Sequence, residues 1–137
     1  MTEKEQHVLV RYRLEQAWAA LEESRILFSS STAGTGVVNR AYYAMFYATL
    51  ALLQNIGKAP RKHAGVIALF DQEFVRTGTF SKEMSKFLHW AFELRQASDY
   101  HFVEPVNHEQ AEEIIENARV FVQTVDAYLK QLFTHNH

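Results

Sequence analysis

Apolar residues return every three or four positions along most of the chain, and no segment alternates apolar with polar residues over the length of a strand. The pattern predicts helices throughout. Thr2-x-x-Glu5 has the form of a capping box, and Leu14, Trp18, Leu21 and Phe28 follow at helical spacing, so a first helix is expected over about 3–28. The SSSTAGTG stretch ends it, because Ser, Thr and Gly favour loop conformations. A second helix is expected over about 37–56, closed by Gly57 as a left-handed cap and then by Pro60. A shorter one follows over about 62–75, with Ala64, Ile67, Ala68 and Phe70 or Asp71 near its inner face, and TGT breaks it. Ser81 caps a fourth helix, whose stripe is Met84, Phe87, Leu88, Ala91 and Leu94, and which frays near 98–100. Pro105 disfavours a helical Glu104, and Asn107 with Gln110 then starts a last helix with Ile114, Ala118, Phe121, Val125, Leu129 and Leu132 on one face.

Short connections make sequential helices antiparallel neighbours. The expected fold is all-α, an up-and-down helical bundle of four main helices plus one shorter helix. It forms a single domain over residues 1–137 with its core at about 8–132. Composition agrees, since 47% apolar and 22% charged residues with 5 Gly and 2 Pro are the proportions of a chain with one packed core. Without cysteine there is neither a disulfide framework nor a thiolate zinc site, and a cytoplasmic protein is expected. The N-terminal stretch mixes charged and apolar residues and lacks the apolar segment and cleavage site of a signal peptide. The most apolar run, Ala41 to Leu53, falls short of the roughly 20 residues needed to cross a bilayer.

A formal charge of −2 excludes a whole-molecule electrostatic footprint for long nucleic acid, so any contact with RNA or a nucleotide must be local. The basic positions available are Arg11, Arg13, Arg25, Arg40, Arg61, Lys62 and Arg95. The second helix, NRAYYAMFYATLALL from Asn39, is apolar nearly all round and therefore needs cover on every side. That requirement leads to the expectation of a homodimer using part of this helix. Tyr42, Tyr43, Phe46 and Tyr47 read either as aromatic core or as a surface on which bases stack.

The strings NRAYYAMFYA at 39–48, KHAGVIALF at 62–70 and ELRQASDYHF at 93–102, followed by a terminal helix of the type EEIIENARVFV, together resemble compact bacterial and archaeal HEPN proteins. The resemblance runs from about Val8 to Leu132. It implies a recurring motif of Arg, a short spacer and His, which Arg95 and His101 satisfy with five residues between them. Arginine offers a planar fork of donors to phosphate oxygens, and histidine exchanges protons near neutral pH. On one phosphodiester the two would support attack by the neighbouring 2′-hydroxyl, without metal or other cofactor. The residue after Arg95 is Gln96, where nuclease members commonly carry Asn, Asp or His. A second arrangement, Arg95-x-x-x-Asp99-Tyr100, also fits the family, and Arg95 with Asp99 would equally form a one-turn ion pair.

Arg40, Tyr43, Tyr47, Asp99 and Tyr100 join the candidate binding residues. His63, beside Arg61 and Lys62 at a helix start, is placed to help receive a phosphate. His89 and Glu93 are one turn apart, but the Glu-x-x-His pairs of a di-iron bundle are missing, so no metal site is expected. Two functions remain open. One is a metal-independent endoribonuclease, the toxin of a toxin–antitoxin pair whose partner resembles a minimal nucleotidyltransferase. The other is a noncatalytic module that binds a nucleotide or a partner protein.

Overall fold

The helix ends are set by local hydrogen bonds that the sequence announces. In the computed structural model, which describes residues 1–30, 34–98 and 106–135, the Thr2 hydroxyl accepts from Glu5 N at 3.1 Å and opens α1, Glu3–Ser29. At the far end of the chain Asn107 and Gln110 cap reciprocally: Gln110 N donates to Asn107 Oδ1 at 2.8 Å, and Asn107 N donates to Gln110 Oε1 at 3.1 Å. That box starts α5, His108–His135. Between them lie α2, Gly34–Asn55, the short α3, His63–Phe70, and α4, Lys82–Ser98. Gly57 closes α2 with φ at 74°, and Lys58 N donates back to Leu53 O at 2.9 Å, as a left-handed cap requires.

Two boundaries differ from expectation. Helix α2 begins at Gly34 rather than near residue 37, so part of the Gly-containing loop is helical. The first turn leaves no room for a side chain at Gly34, where a Cβ would lie 3.0 Å from the Val106 carbonyl oxygen just before α5. The third helix changes at Phe70 into one π-helical turn, Asp71–Val75. Ala64 and Ala68 are exposed rather than inward, because α3 buries the face carrying Val66, Ile67 and Phe70.

Contacts between helix ends fix the topology. Gln6 Nε2 reaches the carbonyls of Gln54 and Asn55, both at 2.7 Å, and Ser24 Oγ donates to Val37 O at 2.8 Å, so α1 and α2 are antiparallel. His7 lies against Phe133 and Phe28 against His108, so α5 also runs opposite to α1. Arg95, near the end of α4, lies over Tyr42 and Tyr43 near the start of α2. The main helices therefore run up, down, up and down, with α3 linking the second to the third. All described residues are helical or in connections; none forms a strand.

Helix α2 is the axis of this arrangement. Ala41, Tyr42, Ala44, Met45, Ala48, Ala51, Leu52 and Leu53 are all fully buried, and α1, α3, α4 and α5 pack around it. Its alanines, with Ala17 and Ala20 of α1, let the backbones approach closely. One chain thus covers most of this helix, and the stripe of Asn39, Arg40, Tyr43, Tyr47 and Leu50 stays half-buried as the part that a second copy would meet. Trp18 also departs from its expected inward place. It is 38% exposed, because α1 turns Val10, Leu14, Ala17 and Leu21 inward and leaves the indole at the α5 border, where Nε1 donates to Asp126 Oδ2 at 2.8 Å.

Among the described residues no helix is long and apolar enough to cross a membrane.

Candidate functional site

Three elements bring their polar side chains to one end of the bundle. Helix α2 supplies Arg40, Tyr42 and Tyr43, the first residue of α3 is His63, and the last turn of α4 carries Arg95. The 3.6-residue period puts Arg40 and Tyr43 on the half-buried stripe of α2, while Tyr42, one position round, faces the core.

The Arg95 guanidinium carbon lies 5.3 Å from the Tyr42 ring centre and 5.2 Å from that of Tyr43, within cation–π range of both. The Arg40 guanidinium carbon is 5.0 Å from the same Tyr43 ring. Two cations therefore share one aromatic face or its edges. Arg40 has Glu23 at 3.8 Å and takes Asn39 Oδ1 on its Nε at 3.2 Å. Among the described residues Arg95 has no carboxylate partner, and its buried Nε has no hydrogen bond. A buried donor left unmet costs about 1–3 kcal/mol, and an anion is one group that would meet it.

Tyr42 and His63 form the other half of the cluster. Tyr42 is fully buried, and its hydroxyl meets His63 Nδ1 at 2.8 Å. Burial holds the phenol well above its ordinary pKa, against the opposing pull of the Arg95 charge, so the hydroxyl stays neutral. The His63 ring stacks on Phe46 with centroids 4.2 Å apart. Desolvation, and then the charge of Arg95, push the imidazole below its ordinary pKa.

This shift has a testable consequence for folding. Because His63 binds its proton less readily when folded, the unfolded chain protonates first as pH falls. Stability on its account is full above about pH 6.5 and declines as acidification proceeds toward the lower folded value. The parent is expected to lose more stability than His63→Gln between pH 7.5 and 5.5 in urea unfolding. Equal losses would remove His63 from the acid response.

The candidates sort unequally. The structure brings Arg40, Tyr43, His63 and Arg95 together. Tyr47 stands one turn further along α2, its ring 5.5 Å from that of Tyr43, and its ring contacts are with Tyr43 and Phe46. Asp99, Tyr100 and His101 lie outside the described residues. His63 faces inward to Tyr42 instead of joining Arg61 and Lys62, which are exposed at the helix start. Tyr42 was not singled out by sequence beyond its place in the aromatic run. The available signal was a phenol at a fully apolar position, which needs a polar partner. His89 does not pair with Glu93; Nε2 lies 2.6 Å from Asp71 Oδ2, and Ser85 donates to the other Asp71 oxygen at 2.6 Å. Among the described residues no three His, Asp or Glu side chains converge as a metal site would require.

Fold and site together define a helical bundle with an arginine–tyrosine cluster suited to an anion at one end. The HEPN domain family matches residues 10–128, and the chain belongs to that family. A "UPF0332 protein" of Thermotoga maritima is 34% identical over 96% of this chain and 98% of its own length. Two proteins of Methanocaldococcus jannaschii carry the names "Putative toxin MJ0142" and "Putative toxin MJ0605". They are 33% and 35% identical, covering 85% and 87% of this chain and 78% and 87% of their own lengths.

Proposed function

We propose that this HEPN protein is a metal-independent endoribonuclease that acts as the toxin of a toxin–antitoxin pair. The observation that carries the reading is the Arg95 guanidinium, laid across two tyrosine rings beside a second arginine, with a buried N–H that has no partner among the described residues. Such a group takes a phosphate, and the tyrosine ring beside it offers a base a face to stack on. The toxin names of the two archaeal relatives favour the same reading.

In the proposed reaction Arg95 holds the non-bridging oxygens of a phosphodiester, and His101 accepts the proton of the adjacent 2′-hydroxyl. The bond from phosphorus to the 2′-oxygen forms as the bond to the 5′-oxygen breaks, and the 5′-oxygen leaves with a proton returned from the imidazole or water. Arg40 and Tyr43 bind the flanking nucleotide.

The products are expected to end in 2′,3′-cyclic phosphate and 5′-hydroxyl groups, with EDTA making no difference. RNA carrying a 2′-deoxy sugar at the cleaved nucleotide should bind and resist cutting. Failure to cut a panel of RNAs that the protein nevertheless binds would replace the nuclease by a noncatalytic nucleotide-binding module.

The protein partners we propose are a second copy and an antitoxin resembling a minimal nucleotidyltransferase. Sedimentation at micromolar concentration is expected to give about twice 15.9 kDa. A monomer's mass would remove the second copy from this reading.

A further inference from the structure

One part of the cluster is not used by the reaction above. His63 offers one ring nitrogen to Tyr42, and its other nitrogen has no partner among the described residues and is not among the buried polar atoms left without one. The two nitrogens of an imidazole point in well-separated directions. With Nδ1 directed at the buried Tyr42 hydroxyl, Nε2 therefore points out of the core. The ring is held on three sides: Phe46 stacks beneath it, Tyr43 stands edge-on with centroids 5.8 Å apart, and Tyr42 fixes its Nδ1 edge. Arg95 sits over the same two tyrosines, Tyr42 and Tyr43, that border His63.

We propose that His63 is a third phosphate contact of this site, oriented by Tyr42, and that it takes up a proton when a phosphodiester binds. The inference rests on the reading of the Arg95 cluster as a phosphate site, and it adds a residue outside the Arg95/His101 pair. Among the described residues, the groups facing His63 are Arg95 from α4 and Tyr42 and Tyr43 from α2, with Arg61 and Lys62 preceding it in the chain. All are cationic or neutral. In the unliganded protein burial, and then the charge of Arg95, oppose a charge on the imidazole. A phosphodiester seated on Arg95 offsets the second of these. It brings a negative charge to the site, favours the imidazolium, and gains from it a charge-assisted hydrogen bond from Nε2.

Tyr42 is a positioning residue in this scheme. Its neutral hydroxyl donates to Nδ1 of the neutral ring, which leaves the proton on Nε2, and turns to accept from Nδ1–H once the ring is charged. The imidazole is thereby kept aimed at the ligand in both states.

The test uses the full chain and a fluorescent DNA oligonucleotide with hydroxyl ends. Every phosphate in that probe is a diester that stays singly charged from pH 5.5 to 8, and it cannot be cut through a 2′-hydroxyl. The parent is expected to bind it about three- to tenfold more tightly at pH 5.5 than at pH 8 beyond any gain seen in His63→Gln, since each unit of pKa rise on binding corresponds to tenfold. His63→Gln should bind more weakly at pH 5.5. Tyr42→Phe keeps the ring beneath Arg95 and loses only the hydroxyl, so its affinity should fall toward that of His63→Gln. Thermal unfolding of each variant checks that the fold is retained.

If His63→Gln matches the parent in affinity and in pH dependence, the inference is overturned while the phosphate site stands. If Tyr42→Phe alone matches the parent, the positioning role of Tyr42 is overturned. No binding by the parent at either pH would overturn the phosphate reading of the cluster and this inference with it.

Discussion

Arg95→Ala and His101→Ala are each expected to lower RNA cleavage by about 10²–10⁴-fold, the usual worth of a positioned acid–base or charge-stabilising group. The two variants should fail differently. Arg95→Ala removes the group proposed to hold the phosphate, so binding of a 2′-deoxy substrate analogue should weaken along with cleavage. His101→Ala removes only the proposed proton acceptor, so the analogue should still bind while cutting is lost. Neither change should shift thermal unfolding by more than a few degrees: Arg95 is half-buried at the helix end, not packed in the centre of the bundle. A His101→Ala protein that cuts as well as the parent would end the proposed catalytic pairing. Arg95 would then remain as a phosphate-binding residue only.

The largest loss of stability from one side chain is expected at Phe121. This residue of α5 is fully buried, and its ring lies 5.2 Å from that of Phe70, also fully buried, at the end of α3. The pair joins the last helix to the short element that connects α2 with α4. Removing a buried Phe costs about 3–5 kcal/mol in lost transfer energy and cavity formation, a large share of the roughly 5–15 kcal/mol that holds a domain folded. Urea unfolding of Phe121→Ala should show a much lower midpoint with little change in slope. Phe133→Ala is the control, since that ring is half-buried near the end of α5 against His7 and should cost much less. Equal costs at the two positions would contradict the packing described.

The caps were the most legible features, because each depends on residues within one turn of each other. Thr2 with Glu5, Gly57, and Asn107 with Gln110 behave as their residue types require. Arg95 became a candidate through the family motif, while its meeting with Arg40 and Tyr43 is a contact between α4 and α2 that no local spacing announces. The inner face of α3 was harder to read. It is too short for its periodicity to distinguish Ala64 and Ala68 from Val66 and Phe70, and packing against α2 and α4 makes the choice. Trp18 was misplaced for a related reason. Spacing gives the apolar stripe to within a residue or two, but the indole N–H seeks an acceptor, and Asp126 is 108 positions away.

By itself, then, the sequence determined the helices, most of their limits, the all-helical bundle and the family, all of which follow from interactions over three or four residues or from the order of motifs. Only the tertiary structure decided what surrounds α2, and that answer narrowed the part left for a second copy to one half-buried stripe. The Tyr42–His63 hydrogen bond and the placing of Arg95 over both tyrosines were decided there as well. Those contacts join residues 21 and more than 50 positions apart, and they exist only because α3 folds back across the start of α2 while α4 ends beside it. Local propensity carries no information about such meetings, since the free energy that creates them comes from burying the faces of whole helices.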